Sequence, residues 1–265
     1  MAETQKVRLG GMALRNGLLV HGPGHWAVAV RTPDGEIKVE SGDKPRFRGR
    51  VADLPGVRGV TRLAEAFALL PLVKRDVPEV RLPFGGGRVL GAMVASSVVS
   101  AAVRRGGRTP GREGFLTLLG IVPAAFALKD SDLASYHAVE HKSIAGYEQG
   151  IDAADAAKEH DRCGSNLVTP MLLSTLVGNI LVRSMFKARG PLASAGVAIG
   201  SVALSVELFA WSERHPERPL AHAFHRPGFE MQRLFATREP SAEQLQVGRV
   251  ALAEILRLEL PGGAG

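Results

Sequence analysis

Cysteine is almost absent from this sequence: Cys163 is the single thiol in 265 residues. No internal disulfide is possible, and nothing points to an oxidising compartment. Aromatic residues make up only 5%, and no basic patch is interleaved with aromatics, which argues against nucleic acid as a partner. The segment Met1 to Gly11 lacks the apolar core of a cleaved secretory signal, so the N-terminal part is expected to stay in the cytoplasm. No internal repeat recurs at a fixed period. Clean apolar runs of full membrane length are also scarce. A simple span needs about 20 apolar residues, with a lower limit of about 17, and only one stretch reaches that.

What is present is segregated. Hydrophobic residues are 45% and charged residues 22%, ordinary overall. The charge, however, concentrates in residues 1–88 and 129–166, and four stretches between them and after them are nearly free of it. These are Val89–Val103, Phe115–Leu128 (containing Pro123), Leu167–Val182 and Leu192–Trp211, the last carrying Glu207 and alone reaching span length. They are rich in Ala, Val, Gly, Leu and Ser, and small residues let helices approach closely in lipid. Core helices of a soluble domain are the alternative, but such helices usually keep a polar face. Val89–Val103 and Leu167–Val182 have no charge on any face.

The expectation is therefore a mainly α multi-pass protein of the cell membrane with a small N-terminal β-containing module on the cytoplasmic side. The net charge of +7 suits anionic headgroups. The basic segments Arg104 to Arg112 and Arg183 to Arg189 pull inward under the positive-inside rule. With four full spans that conflicts with a cytoplasmic N-terminus, and shallow hairpins would remove the conflict. The division expected is 1–58 as the β-hairpin module, 59–212 as the apolar helical region with a central motif loop at 129–166, and 213–265 as a polar helical segment. Whether the chain forms a homo-oligomer is left open.

Local signals fill in the modules. Trp26 to Arg31 is rich in β-formers, Thr32-Pro33-Asp34-Gly35 is a turn, and Glu36 to Glu40 alternates polar and apolar, so 26–41 reads as a hairpin. Gly10-Gly11 and Gly22-Pro23-Gly24 read as breakers around the apolar run Met12 to Val20. Gly59 to Val73 has a helical apolar pattern ending near Pro71, as a core or interfacial helix. Ser241 reads as the N-cap of a helix running to about Leu260, and Gly262 to Gly265 as a disordered end.

The chemistry concentrates in the central segment. Tyr136 to Lys142 contains His-x-x-Glu-His. On a helix His137 and His141 share one face, so both imidazoles can reach one ion, and Glu140 lies near that face as a base or a further ligand. His160 and Cys163 follow, three apart, a spacing for ligands from one turn; thiolate with imidazole suits zinc. Taken alone, the motif can arise by chance, and a buried cysteine is often only a small hydrophobe. His21, His25, His215, His222 and His225 read as exposed loop histidines.

These residues resemble the DUF1385 family. The N-terminal mark is Gly10-Gly11-Met12-Ala13 with the hairpin Ala27 to Ile37. The most specific marks are Tyr136-His137-Ala138-Val139-Glu140-His141-Lys142 and His160-Asp161-Arg162-Cys163-Gly164. The C-terminal mark is Pro227-Gly228-Phe229-Glu230-Met231-Gln232 with Thr237-Arg238-Glu239-Pro240. Departures from the family pattern are Ala138-Val139 for Gly-Ala, Asn16 for a Glu and His21 for an Arg. The resemblance implies a multi-pass membrane protein with a metal-dependent enzyme site, and names no substrate.

Two functions fit the residues. One is a membrane-bound hydrolase with zinc on His137, His141 and His160 or Cys163, Glu140 as base, and Arg162 or Lys142 stabilising negative charge. The other is a structural metal knot closed by all four ligands, in a non-catalytic scaffold.

Overall fold

The computed structural model describes residues 6–47, 54, 56–105, 109–129, 131–184 and 191–260. Residues 106–108 and 185–189 of the two basic segments, and the glycine-rich end at 262–265, lie outside these residues.

Four strands form an antiparallel meander: β1 (Gly10–Leu14), β2 (Gly17–His21), β3 (His25–Arg31) and β4 (Ile37–Asp43). The β3–β4 hairpin is the one expected, with Val28 opposite Glu40 and Gly35 taking φ +90° in the turn. Gly22 to Gly24 does break the chain, as Gly22 N–H donates to His25 O at 3.0 Å. Gly10-Gly11 does not: it lies inside β1, and the run Met12 to Val20 folds back at Arg15-Asn16 into two paired strands. The reason is that the sheet is buried on both faces. Leu18, Val20, Ala27 and Ala29 face one core with Leu133, Val139, Leu245 and Ile255 from later in the chain. Leu14, Leu19, Val28 and Val30 face another, closed by Leu69, Val73, Val77 and Val80. Strands covered on both sides read as continuous apolar runs and lose the period-2 signal.

Helix α1 (Arg58–Asp76) covers the second face and continues through Pro71, beyond the expected stop. A proline there removes one helical hydrogen bond, and Pro71 is on the exposed side. The apolar helices follow in two hairpins. The first is α2 (Gly87–Arg105) with α3 (Pro110–Leu119) and α4 (Val122–Leu128). The second is α6 (Val168–Ser184) with α7 (Pro191–Arg214). Among the described residues, Gly111–Leu128, Gly164–Val182 and Leu192–Arg214 are long and apolar enough to cross a membrane, and Gly87–Val103 is a shorter apolar helix. That is three span-length segments where the residue pattern alone showed one. Small residues join α6 to α7: Ser174 Oγ donates to Ser201 O at 3.3 Å, and a Cβ on Gly178 would come 3.1 Å from Val197. Glu207, the charge in the last stretch, is held by Arg58 at 2.6 Å and by the Gly56 N–H at 3.0 Å.

The expected central loop is half helix. α5 (Ser131–Gln149) is buried nearly all round, between the sheet, α9 and the turn after α8. It stops at Gly150, which takes φ +73° and donates to Gly146 O at 2.8 Å. A coil from 150 to 163 and a 3-10 turn (Gly164–Leu167) lead into α6. After the second hairpin come α8 (Pro219–Met231), a π-type turn (Gln232–Ala236) and α9 (Ala242–Glu259). α9 begins with the expected Ser241 cap, completed as a capping box by Gln244. It packs on β3 and α5 through Leu245, Val247, Ala251 and Ile255, with Gly248 pressed against Val139 and Ser143.

Candidate metal centre

Helical spacing on α5 brings His137 and His141 edge to face, with ring centroids 4.4 Å apart. Each ring is fixed at Nδ1 by a backbone carbonyl: His137 by Ala236 O at 2.8 Å, His141 by Lys158 O at 2.6 Å. A carbonyl only accepts, so both Nδ1 atoms carry the proton and both Nε2 lone pairs point elsewhere. Cys163 Sγ lies 3.3 Å from His137 Nε2. The Nε2 atom of His141 is buried with no hydrogen-bond partner. Ligand atoms of His137, His141 and Cys163 lie within 4.8 Å of one another. Burial holds His141 below the usual imidazole value, opposed by the nearby Cys163, and so keeps it neutral, as a ligand must be. Two histidines pinned at Nδ1, an orphaned Nε2 and a thiol fit a divalent transition metal.

The other expected residues surround this cluster. Glu140, one residue before His141, lies against β1: a Cβ on Gly11 would come 2.6 Å from its Cγ, and the Ala13 backbone N–H bonds its carboxyl. Burial pushes its pKa up, opposed by His137 and His160. His160 packs its ring 5.7 Å from that of His141, but its nitrogens are engaged elsewhere. Nε2 faces Glu148 at 3.4 Å, and Nδ1 accepts from Arg162 N–H at 3.3 Å. Arg162 is ion-paired with the same Glu148. Lys142, only 5% exposed at its side chain, donates to Glu239 at 2.7 Å, across from α9. His160, Arg162 and Glu148 line a cavity of about 660 Å³ closed on its far side by Ser212, His225 and Phe229. None of the three clustered ligands lines it.

Several residues that hold the centre carried no chemical signal in the sequence. Gln232, fully buried, accepts from the His160 N–H at 2.8 Å and donates to Ser165 Oγ at 2.8 Å, so it fixes both ends of the Cys163 segment. Gly228 allows the close approach that this needs, since a Cβ there would come 2.3 Å from Asn166 Oδ1. Thr237 Oγ1 bonds Gln232 O at 2.8 Å and stops the turn where Ala236 meets His137. The marks around Pro227–Gln232 and Thr237–Pro240 are thus scaffolding for the cluster. Of the remaining histidines, His21 and His25 sit in strands and are half-buried, not in exposed loops. His25 lies 3.4 Å from Glu259, and His225 Nε2 lies 2.7 Å from Ser212 Oγ on α7. His222 is exposed on α8.

Fold and cluster together define a mainly helical protein of membrane type with an enclosed His-His-Cys group beneath its apolar hairpins. The family model described as protein of unknown function (DUF1385) matches residues 116–258, more than half of the chain, and the chain belongs to that family. It is also similar to the uncharacterized protein YqhQ of Bacillus subtilis (strain 168), 28% identical over 132 residues. That alignment takes in 47% of this chain and 40% of the relative's length. No solved structure matches. The matched residues contain the whole cluster and its scaffold; the sheet, α1 and α2 lie before them.

Proposed function

We propose that this chain is a membrane-bound metal-dependent hydrolase, with zinc held by His137, His141 and Cys163 and Glu140 as the base. The observation that carries the reading is the count of converging ligand residues among the described residues: three, not four. His160 is held by Glu148 and by its own loop. Structural zinc sites are closed by four protein ligands, whereas catalytic ones keep one position for water. Zinc bound there supplies a Lewis acid and lowers the pKa of a water in the open position toward about 7. Glu140 adjoins His141 in sequence and is made more basic by burial, the direction that a general base needs. Gly11 sets the position of that carboxyl by leaving it room. Arg162 and His160, on the cavity side, are the groups that would meet an anionic part of a substrate. Lys142 acts through Glu239, anchoring α5 to the start of α9. The same proposal puts the protein in the cell membrane with the sheet module on the cytoplasmic side, a reading that its apolar helices and basic N-terminal segment support.

The test needs no substrate. Cobalt-substituted protein in detergent should show thiolate-to-metal absorption, and added azide should shift the visible bands if a position is open. Glu140→Gln should keep the cobalt and move the pH midpoint of that spectrum. Bands unmoved by azide, with a spectrum lost in His160→Ala, would establish the closed structural knot instead.

A further inference from the structure

The turn that holds His137 also carries apolar side chains outward, at the boundary between the hairpins and the sheet module. Helix α8 and the π-type turn Gln232–Ala236 run past the module-side ends of both hairpins. α8 packs against α6 and α7, and its Phe224 shares a groove with Leu173 and Val177 of α6 and Leu204 of α7. The turn packs against α4 and α5. These are the ends nearest the sheet, because α4 runs into α5, α6 leaves the Cys163 segment and α7 ends at Arg214 just before α8. Both ends of the turn are pinned. Gln232 and Ala236 are fully buried, Ala236 O accepts from His137 Nδ1 at 2.8 Å, and the Arg238 N–H donates to Ala134 O at 3.0 Å. Between those ends Leu234 stands 66% exposed and Phe235 41%. Among the described residues outside the hairpins, no large apolar side chain is more exposed than Leu234. A fixed turn that meets only water carries polar residues at such positions.

Position selects what covers the pair. The turn touches α4, which belongs to the span-length stretch Gly111–Leu128 and exposes Phe126 near its end. A bilayer that surrounds α4 reaches the turn packed against it, so the exposed pair continues the apolar surface of the hairpin. Arg233, paired with Glu230 at 2.8 Å, and Arg238 are exposed on either side of the pair. Cations beside an apolar face are the composition of a segment lying in the membrane interface. We infer that Leu234 and Phe235 seat in the headgroup–acyl boundary of the leaflet nearest the sheet module, which puts the lipid surface directly against the turn that holds His137. The inference rests on the hairpins lying in a bilayer and is independent of the metal.

The experiment uses the full chain in phosphatidylcholine vesicles whose acyl chains are brominated either near the headgroup or near the methyl end, since bromine quenches tryptophan on contact. Tryptophan is introduced at one position at a time, and the quenching of Trp26 and Trp211, common to every variant, is subtracted. Phe235→Trp exchanges one exposed aromatic ring for another, and Leu234→Trp is a second probe of the same turn. Both should be quenched about twofold more by bromine near the headgroup, because an interfacial face reaches only about 5–10 Å into the boundary. Ile199→Trp, within α7, should show the reverse order, and Gln246→Trp, exposed on α9, should be quenched by neither lipid. Quenching at Ile199→Trp with none at either turn position would overturn the inference and leave the membrane reading standing. A turn tryptophan shielded from lipid bromine and from aqueous acrylamide alike would mean that a second copy covers the turn, and would also overturn it. Absence of quenching at Ile199→Trp as well would overturn the membrane reading, and the inference with it. Metal content in both turn variants should match wild type, which shows that the fold around His137 survives the substitution.

Discussion

In the sheet module Leu14, Leu18, Val28 and Ile255 are fully buried, whereas in the apolar hairpins Val94, Val98 and Ile199 are 64%, 62% and 61% exposed. Both regions are built largely from aliphatic residues. One hides them behind α1, α5 and α9, and the other turns them outward along whole helix faces. Contiguous apolar surface on that scale is not left in water. The two regions therefore imply two solvents, and the His137, His141 and Cys163 cluster sits in the part that hides its apolar side chains behind its own helices. Backbone chemistry agrees. In their described residues the hairpins are helical apart from Thr109 and the turn at Gly120-Ile121, as lipid requires, while the strands are kept to the polar module.

Truncation should separate the regions most strongly. Leu19→Ala, in the core between sheet and α1, should cost about 3–5 kcal/mol by leaving a cavity, and Ile199→Ala much less, read as thermal midpoints in the same detergent. Equal losses would mean that Ile199 is buried by something the chain itself supplies. The next test inverts the chemistry. Ile199→Asp should cost about 3 kcal/mol of insertion if α7 crosses the bilayer, and near zero if the site faces water. The fraction left in the membrane pellet after a carbonate wash reports it.

The polar module should also be the acid-sensitive part. Burial lowers the His21 pKa to about 4, helped by the Lys44 ammonium 3.1 Å away. The unfolded chain, with an ordinary imidazole near 6.5, then binds the proton that the folded one refuses. Between these values stability must fall as pH falls. His21→Gln should flatten part of that slope in thermal melts from pH 7 to 4; an unchanged slope would remove His21 from the account. The smallest effect expected is at the α9 cap, where Ser241→Ala should cost about 1 kcal/mol and leave hairpin extraction unchanged.

These regions were not equally legible in sequence. The β3–β4 hairpin and the Ser241 helix start were plain, because turn and cap residues act locally. The apolar stretches were plain as composition, but their lengths were not, since the 3-10 turn at Gly164–Leu167 joins α6 to make up span length and Pro123 opens α4 directly after α3, so the apolar run continues past it. Strands β1 and β2 were hidden because both faces are buried. At the centre, helical spacing paired His137 with His141 correctly, and nearness in sequence brought in Cys163. The same reasoning could not see that His160 turns to Glu148, or that Lys142 turns to Glu239. Glu148 stands at the far end of α5 and Glu239 in the coil before α9, and only the tertiary fold brings them there.

The most direct measurement is metal content across single substitutions of the full chain purified in detergent. The three-ligand centre predicts about one equivalent of zinc in wild type, most of it lost in His141→Ala and Cys163→Ala, and retained in His160→Ala. Wild-type protein without metal, or equal loss in His160→Ala, would contradict it.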